Sequence, residues 1–116
     1  MPANTSISCA IDESILQATF GNDPAIFKEI LTSFLDPSFE IISNLRCAHE
    51  QHSAEGIKQA AHQLRSAAFT IGANDLGEAC RELETAAADE NWQLIDSSRS
   101  KLEVLMNRVE EYISEI

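Results

Sequence analysis

The sequence predicts an all-α protein, an antiparallel up-down four-helix bundle with a short extra helix at its N-terminal end. Two observations lead to this prediction. Apolar residues recur at intervals of three and four along most of the chain, which is the spacing of one buried helix face. Only 4 Gly and 3 Pro occur in 116 residues, too few for the many turns of an all-β domain.

The N-terminal part is predicted to be a flexible tail, residues 1–8, followed by the bundle over residues 9–116. The tail has no positively charged segment and no long apolar run, so it does not resemble a secretory signal. A short helix comes next and is expected to end at Gly21, a residue that favours turns. The apolar positions that support this helix are Ile7, Ile11, Ile15 and Phe20.

The first long helix is predicted over 24–51. Asp23 is expected to cap its N-terminus, with Pro24 at the first helical position, where a missing N–H group costs nothing. Pro37 should kink this helix, or divide it into two nearly collinear helices, because it lacks the N–H that the helix interior needs. Phe39 belongs to the apolar pattern that resumes after Pro37, so we expect it in the core.

Three further helices follow, and each has one apolar stripe. The expected N-caps are Ser53, Asn74 and Asn91. The connections are three short segments, 52–53, 72–74 and 88–91. Short connections make consecutive helices antiparallel neighbours, and Gly72 is a typical stop signal after the first of the three. The predicted buried stripes are Ile57, Ala60, Ala61, Leu64, Ala68 and Ile71; Leu76, Ala79, Cys80, Leu83 and Ala87; and Ile95, Leu102, Leu105, Met106, Val109, Ile113 and Ile116.

Composition disfavours several classes of partner. The chain has 8 Lys and Arg against 19 Asp and Glu, a formal net charge of −11. Such a domain repels nucleic acid and anionic lipid surfaces, so neither partner is expected. The apolar runs are too short to span a bilayer. Cys9, Cys47 and Cys80 are odd in number and widely spaced, which favours free thiols in the cytoplasm over a disulfide framework.

The helix predicted after Ser53 carries an unusual group of exposed polar residues. On a helical wheel of about 100° per residue, His62 lies roughly 140° from the centre of the apolar stripe and therefore faces solvent. Lys58 lies one turn before it and Arg65 one turn after it. Ser66 and Phe69 extend the same face.

This helix also interrupts the acidic character of the chain. Residues 56–74 contain no Asp or Glu, although an even spread of the acids would place about three of them there. In a chain of net charge −11, a positive segment centred on a histidine is a candidate anion site. The simpler interpretation is that small residues merely favour helix packing at this place.

A solvent-facing histidine between two cations suits phosphoryl chemistry. A neutral imidazole nitrogen can act as the nucleophile toward a phosphoryl group, and nearby cations would balance the charge that arrives. An open helix face suits a protein donor better than a small molecule, because no cleft excludes water. The sequence has no glycine-rich phosphate loop or other nucleotide motif, so no ATP-dependent kinase activity is expected.

The run from Ala61 to Leu76, AHQLRSAAFTIGANDL, resembles the signature of histidine phosphotransfer (HPt) domains, roughly A-H-x-L-K-G-S/A-S/A-x-x-L/I/V-G-A-x-x-L. The following segment, 80–84, resembles the usual continuation, and the resemblance extends over about 10–116. It implies a phosphorelay intermediate that accepts a phosphoryl group from one receiver-domain aspartate and passes it to another. The implied partners are receiver domains of a hybrid sensor kinase or a response regulator. No cofactor is implied on this chain, and Mg²⁺ is expected on the receiver only.

The resemblance also implies roles for single residues. His62 would be the phosphoryl acceptor, and Arg65 matches the family lysine that steadies the phosphate. Glu84 occupies the place of a Glu or Gln that hydrogen-bonds the other ring nitrogen and orients the ring. The chain departs from the family in two places, with Arg65 for lysine and Ser66 for glycine. The residues expected to contact the partner are Lys58, Gln59, Ser66 and Phe69, with Phe69 as an exposed apolar anchor.

Two other classes of function remain open at this stage. The chain could be a non-catalytic four-helix adaptor whose exposed patch binds a protein without chemistry. It could also bind a metal or another ligand, since Cys47, His49 and His52 have a spacing that a metal site could use. Four ligands are not evident, however, so no metal is predicted.

Overall fold

The computed structural model describes residues 10–116. This part of the chain contains five α-helices and no strand, which confirms the predicted all-α class. None of these helices combines the length and the apolar character that crossing a bilayer requires. The predicted tail, together with Cys9 and the Ile7 of the predicted first helix, lies outside the described residues. The helices are α1 (Glu13–Phe20), α2 (Pro24–Glu50), α3 (Ala54–Thr70), α4 (Asn74–Ala88) and α5 (Trp92–Ser114).

Helices α2 to α5 form the antiparallel bundle. Short connections at 51–53, 71–73 and 89–91 return each helix along its predecessor. The first and last helices of the bundle also meet in opposite directions. On α2, Arg46 forms an ion pair with Glu103 of α5, whereas His49, further along α2, contacts Asp96, earlier on α5. This contact between α2 and α5 is the least extensive among the neighbouring helices of the bundle, and that between α3 and α4 is the most extensive.

The core is built from the predicted stripes of α3 and α4, which are buried at every predicted position. Many of these residues are alanines, and small side chains allow two helices to approach closely along a long contact. Larger side chains from all five helices fill the remaining space. Those that are almost completely buried include Leu16, Leu31, Leu45, Ile57, Leu64, Leu83 and Leu102. The close α3–α4 contact is what brings residues of these two helices together at the candidate site.

The predicted stripe of α5 is correct except at two positions, Leu105 and Ile116. Leu105 is only partly buried, because it lies beside the core positions of Leu102 and Met106 and is turned away from both by the helical rotation. The expectation that Ile116 is buried is wrong, since it lies beyond the last residue of α5 and is 45% exposed. The last core position of the chain is Ile113.

Three of the four expected helix caps are confirmed. The side chains of Asp23, Ser53 and Asn91 accept hydrogen bonds from backbone N–H groups in the first turns of α2, α3 and α5. The prediction for Asn74 is wrong, because α4 already begins at Asn74 and its cap, Ala73, has no side-chain cap bond. The backbone bond from Ala73 N–H to the carbonyl of Ala68, 2.8 Å long, closes the C-terminal end of α3 at this turn.

Helix α2 continues through Pro37 as one helix. The expectation that Phe39 belongs to the core is wrong, because Phe39 is 42% exposed whereas Ser38 is completely buried. Ser38 occupies the helical position one turn after the buried Phe34 and one turn before the buried Ile42. A residue next to such a position is turned by about 100° away from it. The core face of α2 therefore passes through a serine, and the phenylalanine lies outside it.

Helix α1 is attached to the turn between α3 and α4 through the backbone. The N–H of Asp12 donates to the carbonyl of Gly72 over 2.8 Å. Gly72 has φ +82, and a Cβ at this position would lie 2.5 Å from the carbonyl oxygen of Asp12. Only glycine fits both conditions. In this position α1 buries Leu16 completely, whereas the predicted Ile15 is only partly covered.

We expect Gly72→Ala to lower the free energy of unfolding by about 2–4 kcal/mol, the sum of left-handed backbone strain and a steric clash with Asp12. The matched control is Gly21→Ala, because Gly21 has φ +83 but no atom within 4 Å of the position that a Cβ would occupy. The control should lose only backbone strain, about 1–3 kcal/mol, because its φ of +83 and ψ of −163 lie in a region that is essentially restricted to glycine. Urea denaturation of both variants measures the difference. A loss of less than about 1 kcal/mol in Gly72→Ala would contradict the close approach of Asp12 to this position.

Candidate functional site

His62 lies in the middle of α3 and faces solvent, as the helical wheel predicts. Its side chain is 57% exposed, whereas Ile57 and Leu64 of the same helix are completely buried. Because those two side chains fix the inward face of α3, the imidazole ring is held on the outward face. The ring is therefore open to a large partner approaching from solvent.

The Nδ1 atom of His62 has two neighbours. The Oε2 atom of Glu84, on α4, lies 3.0 Å away, and the Nη2 atom of Arg65 lies 3.1 Å away. A single ring nitrogen either donates through its proton or accepts through its lone pair, so only one of these contacts is a hydrogen bond at a time. The carboxylate favours a proton on Nδ1. In that tautomer Nε2, the other ring nitrogen, carries the lone pair.

Arg65 and Glu84 also contact each other. The guanidinium Nη1 lies 3.2 Å from Oε1 of Glu84, and the two side chains are 30% and 18% exposed. Together with His62 they form a closed triangle of side chains, which we call the His62 cluster. The contact between Glu84 and the ring agrees with the arrangement that the family resemblance implies. The ion pair between Glu84 and Arg65 does not follow from the sequence analysis.

The His62 cluster borders directly on the bundle core. Cys80 is completely buried and lies one turn before Glu84 on α4. Burial raises the pKa of the Cys80 thiol to about 12, the charge of Glu84 adds to this increase, and Arg65 opposes it. The Oε1 atom of Glu84 is itself buried and has no partner in hydrogen-bond geometry among the described residues. Its ion pair with Arg65 is therefore a charge contact without an aligned hydrogen bond.

The acid-free segment of the sequence is not acid-free in space. Glu84 comes from the neighbouring helix and contacts both His62 and Arg65. An open groove of about 360 Å³ beside the ring is lined by Glu55, Lys58, Gln59, His62, Gln63 and Glu84. The positive charge expected around His62 is thus partly neutralised by two carboxylates. The count of acids along the sequence misses the contribution of Glu84, which lies 22 positions from His62, whereas Glu55 belongs to the first turn of the same helix as His62.

The residues expected to contact a partner have different surroundings. Lys58, Gln59 and Ser66 are exposed, and the Gln59 amide donates to Glu55. The prediction of an exposed Phe69 is only partly correct, because this side chain is half-buried. Its ring covers Gly77 of α4, where a Cβ would come within 2.7 Å of it. Phe69 therefore presents only part of its ring to solvent, and a glycine on the next helix makes room for it.

The residues considered as metal ligands do not come together. His49 contacts Asp96 over 2.6 Å. The ring of His52 stacks on Trp92 with a centroid distance of 3.5 Å and an interplanar angle of 14°. Within residues 10–116, no group of three or more His, Cys, Asp or Glu side chains could hold a metal ion.

The fold and the site define a helical bundle in which an exposed histidine, His62, is held at Nδ1 by a carboxylate from the adjacent helix. The family model described as "Hpt domain" matches residues 29–116, which covers most of the chain. The chain belongs to this family, whose members act in histidine phosphotransfer in phosphorelays and interact with receiver domains. The match omits α1. No curated protein and no solved structure gives a significant match.

The burial of Cys80 gives a direct test of the structure beneath the site. In a Cys9→Ser variant, we expect an aromatic disulfide reagent at about pH 8 to label Cys47, which is exposed, and not Cys80, because only an accessible thiolate reacts. Absorbance should report one thiol in the native protein and two in guanidinium. The control, Cys9→Ser with Cys47→Ser, should show none before unfolding. Rapid labelling of the native control would contradict the buried position of Cys80.

Proposed function

We propose that this chain is a phosphorelay intermediate that accepts a phosphoryl group on Nε2 of His62 and passes it on. The donor is the aspartyl phosphate of one receiver domain, and the acceptor is the aspartate of another. The observation that supports this proposal most strongly is the contact of Glu84 with Nδ1. It favours the tautomer in which Nε2 is the nucleophilic nitrogen, on a ring that a protein can reach.

The transfer step balances without a cofactor on this chain. The Nε2 lone pair attacks phosphorus, the bond from phosphorus to the aspartate oxygen breaks, and its electron pair stays on the aspartate as carboxylate. Nδ1 keeps its proton and donates a hydrogen bond to the carboxylate of Glu84. The ring therefore becomes formally positive while its phosphoryl group is negative. Transfer to the second receiver is the reverse of this step with a different aspartate.

Cations near His62 are expected to lower the cost of bringing a phosphoryl group to a chain of net charge −11. Arg65 is the nearest, with its guanidinium 3.1 Å from the ring. Lys58 lies one turn away and lines the adjoining groove. Both act on a surface in contact with water, so each contributes modestly by itself. We assign Mg²⁺ to the receiver domain, which holds the aspartyl phosphate.

We also propose that the partner docks on the α3 face around His62 and that the exchange takes place in the cytoplasm. Cys47 and Cys80 are both free thiols, which fits a reducing compartment. The open groove beside the ring has no enclosing wall that would exclude water from a small substrate, which favours a protein donor that covers the ring itself. Lys58, Gln59, Ser66 and the accessible part of Phe69 would line the contact.

Phosphoryl transfer to His62 is tested with a phosphorylated receiver domain carrying radioactive phosphate. The native chain should acquire label that is labile in acid and stable in base, as a phosphohistidine is, and His62→Gln should acquire none because it lacks the acceptor nitrogen. His49→Gln and His52→Gln are the controls and should be labelled normally. Label on His62→Gln would show that a residue other than His62 accepts the phosphoryl group. A receiver that binds the native chain without labelling it would instead support the adaptor alternative.

Docking around His62 is tested at Ser66, which is exposed one turn along the helix. Ser66→Gln adds bulk where the partner must come close, so we expect the transfer rate to fall by roughly tenfold or more, about 1.4 kcal/mol in the barrier. Stability should change by no more than about 0.5 kcal/mol, as for other surface substitutions. Ser66→Gly should transfer the phosphoryl group at the native rate or faster.

The matched control is Ser33→Gln, an exposed serine on α2 that is not part of the proposed contact. Transfer kinetics and thermal unfolding are measured for all three variants. Full transfer activity of Ser66→Gln would place the docking surface elsewhere on the bundle.

A further inference from the structure

Arg65 is already engaged before any phosphoryl group arrives. Its Nη1 contacts Glu84 over 3.2 Å, and its Nη2 lies 3.1 Å from Nδ1 of His62. Both contacts are on the Nδ1 side of the ring, whereas the proposed phosphoryl acceptor is Nε2. A guanidinium held by Glu84 is therefore neither free nor on the correct side to neutralise a phosphoryl group. The assignment of Arg65 to the phosphate thus requires it to leave Glu84.

Phosphorylation itself supplies a replacement cation for Glu84. When Nε2 carries the phosphoryl group and Nδ1 keeps its proton, the ring bears a formal positive charge. The Nδ1 atom is only 3.0 Å from Oε2 of Glu84, so the ring can become the ion-pair partner of Glu84 without movement of the carboxylate. A positive charge on the ring also repels the guanidinium that lies against it. The same event attracts Arg65 toward the new phosphoryl oxygens.

We propose that phosphorylation of His62 exchanges the ion-pair partner of Glu84: Arg65 leaves Glu84 for the phosphoryl group, and the imidazolium ring takes its place. This inference rests on the proposed function. It makes Glu84 a residue that holds Arg65 in reserve, in addition to its contact with the ring. It also gives a physical reason for the pairing of Arg65 with a carboxylate at position 84, since a neutral amide there would leave the guanidinium unpaired in the resting state.

The surroundings of Glu84 favour replacement of Arg65 by another cation over a state in which Glu84 has no cation beside it. Oε1 of Glu84 is buried and has no aligned hydrogen bond among the described residues, and a buried carboxylate left without a cation is costly. Glu84 therefore needs one positive partner in each state of the ring. Arg65 can supply the movement, because its long side chain is 30% exposed and its contact with Oε1 is not an aligned hydrogen bond. Lys58, one turn away in the other direction, has no ion pair among the described residues and remains available to the phosphoryl group throughout.

The proposed exchange predicts kinetics that differ from those expected if Arg65 and Glu84 act independently. Formation of phospho-His62 breaks the pair of Arg65 and Glu84, whereas loss of the phosphoryl group starts from a state in which this pair is already broken. Arg65 and Glu84 should therefore be energetically coupled in the rate of formation and uncoupled in the rate of loss. A double-mutant cycle isolates this coupling from the separate contribution of Glu84 to the ring.

The experiment uses Arg65→Ala, Glu84→Gln, the double variant and the native chain. Phosphoramidate, a small phosphoryl donor, removes any dependence on an unidentified receiver, and the rates of formation and loss of phospho-His62 are measured for all four. The effect of Glu84→Gln on formation should differ between the native and the Arg65→Ala backgrounds by roughly 2- to 160-fold, the usual range for residues in direct contact. Arg65→Ala should accelerate phosphoryl loss, and the factor should be the same with Glu as with Gln at position 84.

Matched controls come from pairs outside the His62 cluster. Arg81→Ala removes the partner of Glu78 on α4, and Glu82→Gln removes the partner of Lys101 on α5. They should leave both rates and the coupling unchanged. Circular dichroism and thermal unfolding establish that each variant is folded.

The rotation of the Arg65 guanidinium provides a second, spectroscopic test. ¹⁵N spectra should show restricted rotation in the native resting state and loss of that restriction in Glu84→Gln. The restriction should return when Glu84→Gln is phosphorylated.

The outcomes distinguish the two proposals. If the native chain forms phospho-His62 but the formation cycle shows no coupling, Arg65 and Glu84 act independently and the exchange is wrong. If Arg65→Ala leaves phosphoryl loss unchanged, Arg65 never reaches the phosphoryl group, and the exchange is again wrong. If the native chain forms no phosphohistidine from either phosphoramidate or a phosphorylated receiver, the proposed function falls and the exchange falls with it.

Discussion

The contact between the carboxylate of Glu84 and Nδ1 of His62 is the interaction on which the site depends. It is possible only because α3 and α4 lie closely side by side along their alanine-rich faces. The core below the cluster is tight enough to bury Cys80 completely. The packing of the bundle thus determines which ring nitrogen faces the protein and which is left for a partner. The fold and the chemistry of the site meet in this one contact.

A carboxylate at this place has consequences that a neutral hydrogen-bond acceptor would not have. It holds the ring at Nδ1, and it also attracts the guanidinium of Arg65. Arg65 lies within 3.2 Å of Glu84 and is thereby kept beside the ring and partly shielded from water. The site thus places a fixed imidazole ring beside a held positive charge, in a chain whose overall charge is strongly negative.

Much of the fold could be predicted from the sequence, because it depends on local patterns. The stripes of α3 and α4, the caps at Asp23 and Ser53 and the solvent-facing position of His62 all follow from helical spacing and backbone hydrogen bonding. The predictions for Asn74 and Phe39 are wrong for a common reason: the role of a residue near a turn or a proline depends on which neighbour occupies the cap or core position. The proximity of Glu84 to Arg65, and of Gly77 to Phe69, depends on how two helices are aligned, which no local pattern specifies.

At Phe69, the shape of the exposed surface depends on a buried residue of the neighbouring helix, Gly77. Gly77 is buried and lies beneath the ring, yet its missing side chain sets how far the phenylalanine ring projects from α3. A substitution there would alter the contour presented to a binding partner while every exposed residue stayed the same. In evolutionary terms, two duplicated copies of such a bundle could diverge in their choice of partner through an interior position. A comparison restricted to surface residues would then miss the change.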